Sequence, residues 1–142
     1  MRKTTDELME ELKSAEDVGE YLEENREELT AVSLSEYLRR LLEQYGMDKS
    51  QVFARAGMKD NNYGYEIFRD DKKKASREKL IRICVGFPLT IEETQKVLKY
   101  GKVSPLYPRV SRDALILYAL KKGYDLSQLN DLLYENGEQL FE

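Results

Sequence analysis

Apolar residues recur at helical spacing along most of this chain. Leu8, Met9 and Leu12 fall one turn apart behind Thr5, which predicts a short amphipathic helix reaching Lys13. Thr5 is its expected N-cap, and Asp6 and Glu7 suit its first turn. Ser14 opens a second short helix with the stripe Val18, Tyr21 and Leu22, stopping near Asn25. Both are too short to persist alone in water and are expected to need a partner surface.

The strongest pattern spans residues 34–45. Leu34, Leu38, Leu41 and Leu42, with Tyr37 and Tyr45, make a wide apolar face, capped by Ser33 or Ser35 and stopped by Gly46. A short helix over residues 50–56 follows, capped by Asp48 or Ser50, with Val52, Phe53 and Ala56 inward. Gly57 suits a left-handed interhelical turn, and Met58 is a natural plug. Asp60 then caps a helix to Arg69, with Tyr63, Ile67 and Phe68 on one side and Asn61, Asn62, Tyr65, Glu66 and Arg69 on the other. Gly64 inside it costs about 1 kcal/mol relative to Ala, which a close helix approach or a nucleic-acid backbone would rationalise.

Residues 70–75 form a charged loop. Ser76 caps a nearly all-apolar helix around Leu80, Ile81, Ile83, Cys84 and Val85, which should be central. Thr90 and Glu93 form a capping box for a helix that ends at Gly101, with Ile91, Thr94, Val97 and Leu98 inward. In the SPLYPR connector, Leu106 and Tyr107 are expected to pack on the body. Ser111 and Ser127 are the expected caps of two last helices, ending at Gly123 and Gly137. No alternating strand of useful length appears, so the fold class is all-α.

Charge changes this picture. The 142 residues carry a net charge of −4, but residues 1–33 hold 4 basic and 11 acidic side chains, leaving 19 basic and 16 acidic for residues 34–142. From Lys72 to Arg82 six basic residues face one acid. The organisation read from this is an acidic helical arm (1–33), a helix-turn-helix domain (34–101) and a C-terminal two-helix extension (102–142). The length suits one domain with a sizeable core. No apolar run reaches the roughly 20 residues of a membrane span, and the acidic start does not read as a signal peptide.

The chain contains no histidine and one cysteine. That removes histidine-dependent triads, Cys-cluster metal sites and internal disulfides. Acidic pairs such as Glu23-Glu24 and Glu27-Glu28 read as solvated helix faces, and no Walker or EF-hand spacing occurs. Cys84, on the most apolar helix, reads as a buried inert thiol. The expectation is a cytoplasmic protein that is not an enzyme and needs no cofactor or metal.

A capped helix, Gly57, a polar-faced helix, a basic loop and a capped apolar helix follow one another as in a helix-turn-helix. On that reading the first helix crosses a DNA backbone and the second enters the major groove. Ser50 and Gln51 would offer side-chain donors and free backbone N–H groups to a phosphate. Lys59 and the outer residues Asn61, Asn62, Tyr65 and Arg69 would meet base edges. Lys72, Lys73, Lys74 and Arg77 would neutralise flanking phosphates, and Ser76 would place another helix dipole there.

The segments SQVFARAGM, YEIF and KKKASREKLIRI, within residues 34–101, resemble the lambda-repressor-like, or Xre-family, helix-turn-helix domain. The longer run from YGYEIF through SPLYPR, with Arg112 to Leu120 and Asn130 to Glu138 after it, is similar to Xre-like proteins of Gram-positive anaerobes. The chain departs from the family in carrying Asp70 or Asp71 where a glycine is usual and Ala75 where a proline is usual. The resemblance implies a five-helix domain and a sequence-specific regulator that binds double-stranded DNA. It also implies a homodimer, joined through the C-terminal helices or the acidic arm. Two alternatives stand beside it. The arm can be read as folding over the basic surface, or the domain as a protein-interaction module that keeps the fold and binds a protein partner, through the arm or the helix-turn-helix face.

Overall fold

The computed structural model describes residues 3–14, 17–19, 33–58, 62–69 and 74–142; among these every regular element is an α-helix. None of the described helices is long and apolar enough to cross a membrane. The chain divides into two units, Met1–Val32 and Ser33–Glu142.

The first unit contains α1 (Thr5–Ser14). Its start is set by Thr4 rather than Thr5, because the Thr4 hydroxyl accepts the Glu7 N–H at 3.1 Å. Lys3 pairs with Glu11 at 2.6 Å. None of its residues is buried, so Met9 and Leu12 remain exposed. The second arm helix expected from the sequence falls largely outside the described residues.

The second unit is built from α2 (Leu34–Tyr45), α3 (Lys49–Arg55), α4 (Asn62–Arg69), α5 (Arg77–Gly86), α6 (Ile91–Tyr100), α7 (Ser111–Lys122) and α8 (Leu126–Glu135). Ser33, Asp48, Ser76, Thr90 and Asp125 cap their helices through side-chain oxygens. Two caps differ from expectation. Val110 precedes α7 with no side-chain bond, and Asp125 rather than Ser127 opens α8, because it closes a capping box with Gln128.

Helix α5 is the axis. Leu80 to Gly86 are all buried, and α3, α6 and α8 pack against it. A helix whose last two turns are almost wholly apolar has little surface to offer water, so it takes the centre. Gly86 permits the approach of α3, since a Cβ there would meet the Val52 carbonyl oxygen at 2.4 Å. Helix α4 lies against α2. Phe68 is fully buried between Phe53 and Phe87, at ring distances of 5.8 and 6.3 Å. Each such buried ring contributes about 1.5–3 kcal/mol of hydrophobic stabilisation.

The connector before α7 is held by polar side chains. Gln95 bonds both the N–H and the carbonyl of Leu106 at 2.9 Å. Leu106 is buried as expected, but Tyr107 is exposed, because its N–H turns to Asp113. Helices α7 and α8 bury Ile116, Ala119, Leu120, Leu129 and Leu133 in the same core as α2 to α6.

Candidate nucleic-acid interface

The end of α3 is a tight C-cap. Gly57 takes the left-handed conformation, with φ 62°. Its N–H donates to the Ala54 carbonyl, and the Met58 N–H reaches back to Phe53 at 2.9 Å. This is the pairing of a Schellman motif, which satisfies the helix's last carbonyls and turns the chain toward α4. Met58 fills the space behind it, 7 % exposed.

Helix α4 is two-sided. Gly64, Ile67 and Phe68 face inward, and Arg69 is exposed. Arg39 of α2 donates to the Phe68 carbonyl at 2.8 Å, so the helix ends on a cation that complements its dipole. Tyr65, expected on the outer side, is half-buried instead. Its ring lies edge-on to Phe53 at 5.1 Å, and the Lys49 ammonium sits 5.8 Å from it. The reason is helical spacing: position 65 lies one turn before Phe68 and shares its side.

Two further candidates are engaged within the protein, Gln51 in an exposed capping box and Arg77 across the fold. The Gln51 N–H donates to the Asp48 carboxylate at 2.8 Å, and the Gln51 side chain accepts the Asp48 N–H at 2.9 Å. The backbone donor expected at Gln51 is therefore taken, and the acid that takes it stands at the helix start. Arg77 is the other. Its guanidinium donates to the Ser104 and Pro105 carbonyls and to Asp113, each at 2.9 Å. Arg77 thus straps the connector to α5 rather than pointing at solvent, because the buried Asp113 has the stronger claim on a fork-shaped cation.

Ser50, Arg69, Lys74 and Ser76 lie at the surface. Ser76 is the N-cap of α5, accepting the Lys79 N–H at 3.2 Å. Lys59, Asn61, Lys72, Lys73 and the side chain of Asn62 fall outside the described residues. The exposed candidates thus sit at the start of α3, the end of α4 and the start of α5.

Pattern reading missed the residues that support this face from behind. Arg82 is 8 % exposed in the middle of α5 and donates to the carbonyls of Ala56 (3.2 Å), Gly57 (2.7 Å) and Glu142. Burial holds its pKa below the ordinary arginine value, against an opposing pull from Glu78. The signal was present, since a lone arginine inside LIRICV must find acceptors wherever the helix is enclosed. Arg55 likewise reaches the Gly86 and Gly123 carbonyls, both at 3.1 Å.

Titratable groups elsewhere are structural. Burial opposes the charge on Glu93, but hydrogen bonds from Tyr45, Thr90 and Gln44 outweigh it and hold the carboxyl below its ordinary pKa. Tyr45 is pushed up to about 12 by burial and by this bond. The pair locks the end of α2 to the start of α6. Cys84 is fully buried, and burial pushes its thiol well up, away from reactivity.

Compared with protein-family models, curated proteins and solved structures, the chain matches none.

Proposed function

We propose that this protein is a sequence-specific DNA-binding transcriptional regulator. Helices α3 and α4 act as the helix-turn-helix, in a lambda-repressor-like arrangement of α2 to α6 with α7 and α8 as an extension. The observation that carries the reading is the left-handed turn at Gly57, which delivers a helix buried on one side and exposed at Arg69 on the other. Lys74 and the capped start of α5 lie next along the chain. Such a helix can enter a major groove while its neighbours touch the backbone. The roles assigned are reading of base edges by Lys59 and the outer side of α4, and phosphate contact by Ser50, Lys74 and the lysines at 72 and 73. The protein acts in the cytoplasm, pairs as a homodimer on two half-sites and performs no catalysis.

The test is a gel-shift against the DNA upstream of its own gene, across a salt series. Specific binding with a steep salt dependence is expected, because neutralised phosphates release counterions. Absence of binding at low salt, by the full chain and by a chain lacking residues 1–33, would sink the reading. That shortened chain is expected to bind more tightly if the acidic arm covers the basic face.

A second reading is favoured by the inward turn of Arg77 and by Asp48 at the start of α3. Both lower the positive charge available to a phosphate. On that reading the same face binds a protein, and co-purification of a stoichiometric partner, with no DNA shift, is its expected result.

A further inference from the structure

The α3–α4 turn is held from behind by residues distant in sequence. Arg82 is one of them, donating to the carbonyls of Ala56 and Gly57 at the turn and to that of Glu142 in the tail. Gly57 also lies under α8, for a Cβ there would come within 2.8 Å of Leu126 Cδ2. The C-terminal tail has its own clasp. Asn130 bonds the N–H and the carbonyl of Phe141, at 2.8 and 3.0 Å. The Phe141 ring is buried, with the Arg112 guanidinium 4.5 Å from its centre. Arg112 also donates to the Gln139 carbonyl at 2.9 Å and pairs with Glu78 of α5. Beside this clasp a cleft of about 290 Å³ remains between the start of α5 and residues 139–142, lined by Ser76, Lys79, Arg82 and Leu140 among others. The tail is therefore seated at Phe141 and at Arg82, with open space along the edge between it and α5.

We propose that Arg82 is a positioning residue for α4, joining the α3–α4 turn to the C-terminal tail so that the seating of the tail sets how α4 is presented. The proposal rests on α4 being the helix that meets the partner. A lysine could not replace it. Its three acceptors lie in different directions around one planar group, which suits the guanidinium fork and not a single ammonium. The tail thus acts on the turn through Arg82.

The experiment uses the full-length chain. Asn130→Ala removes two bonds of the clasp on Phe141 and changes no residue of α3, α4 or α5. Hydrogen exchange followed by mass spectrometry, without DNA, is expected to show about tenfold or more faster exchange over residues 53–58 and 62–69, the loss of roughly one well-made hydrogen bond's support. Exchange in residues 91–100 should be unchanged. Arg82→Lys should give the same local pattern. Faster exchange confined to residues 126–142 would overturn the proposal. So would uniformly faster exchange throughout, which marks a merely structural role. With the duplex from upstream of the gene as probe, both variants should bind more weakly at an unaltered salt slope, since no phosphate contact is lost. If the unaltered protein fails to bind that duplex, the DNA reading fails while the exchange result still decides the role of Arg82.

Discussion

Behind α3 and α5, Arg55, Arg77, Arg82 and Arg112 all end on main-chain oxygens or carboxylates, whereas Arg69 and Lys74, at the end of α4 and before α5, lie at the surface. The two sets stand within one sequence neighbourhood. Arg77 follows Lys74 by three residues, yet one is a strap and the other is exposed. The difference teaches that a basic run is not a basic surface. A guanidinium offers five donors in a plane and serves several carbonyls at once; an ammonium is a compact, more strongly hydrated point charge. Counting positive charge therefore overstates what the α3–α4 face can present to a phosphate.

The comparison can be broken most severely at Arg77. Arg77→Ala leaves Asp113, 4 % exposed, with the Tyr107 N–H as its remaining bond. A loss of about 2–4 kcal/mol in denaturant unfolding is expected, toward the low end because Arg77 is partly exposed. If Arg77 instead served DNA, stability would hold and binding alone would fall.

Arg69→Ala is the converse. Stability should move by less than about 0.5 kcal/mol, as for most exposed positions. Binding to the preferred duplex should weaken by about 1–3 kcal/mol, with relaxed preference at one base pair. Equal weakening on all duplexes would reassign Arg69 to the backbone.

Glu93 sharpens the contrast on the α2–α6 side, where a carboxylate is the clamp. Glu93→Gln is expected to cost about 1–2 kcal/mol at neutral pH, since hydrogen bonds to a charged group are stronger than neutral ones. The folded-state pKa lies below the unfolded value, so the stabilisation is present above the unfolded value. It is lost as pH falls through the folded value. The difference between wild type and variant in thermal unfolding should therefore shrink through that window; a difference independent of pH would remove the carboxylate from the account.

Lys74→Ala is the smallest effect. Binding should weaken alike on all duplexes, with the salt slope lowered by about 1. An unchanged slope would place Lys74 outside the interface.

Much of the helical order is legible in the order of residues alone. The stripe of Leu38 and Leu41, the enclosed run from Leu80 to Val85, and the Thr90–Glu93 box all rest on interactions within one or two turns. Gly57 is legible because a left-handed φ strongly favours glycine. Tyr65 stands one turn before Phe68, so its spacing already favours the inner side; its polar tip suits solvent as well, and the contact with Phe53 settles which prevails. Ser127 fails as a cap because Asp125 closes a capping box with Gln128, and Ser111 because α7 starts after Val110 with no side-chain cap.

By itself the sequence determined what local chemistry can determine: helices, most of their ends, the turn at Gly57 and the central place of α5. Those depend on residues a few positions apart, whose geometry the helix supplies. Only the tertiary structure decided which arginines turn inward as straps. Arg77 meets Asp113, and Arg82 meets Gly57 and Glu142, across separations that no local pattern encodes. A long charged side chain has reach enough to choose among solvent, carboxylate and carbonyl, and the packing of distant helices makes that choice.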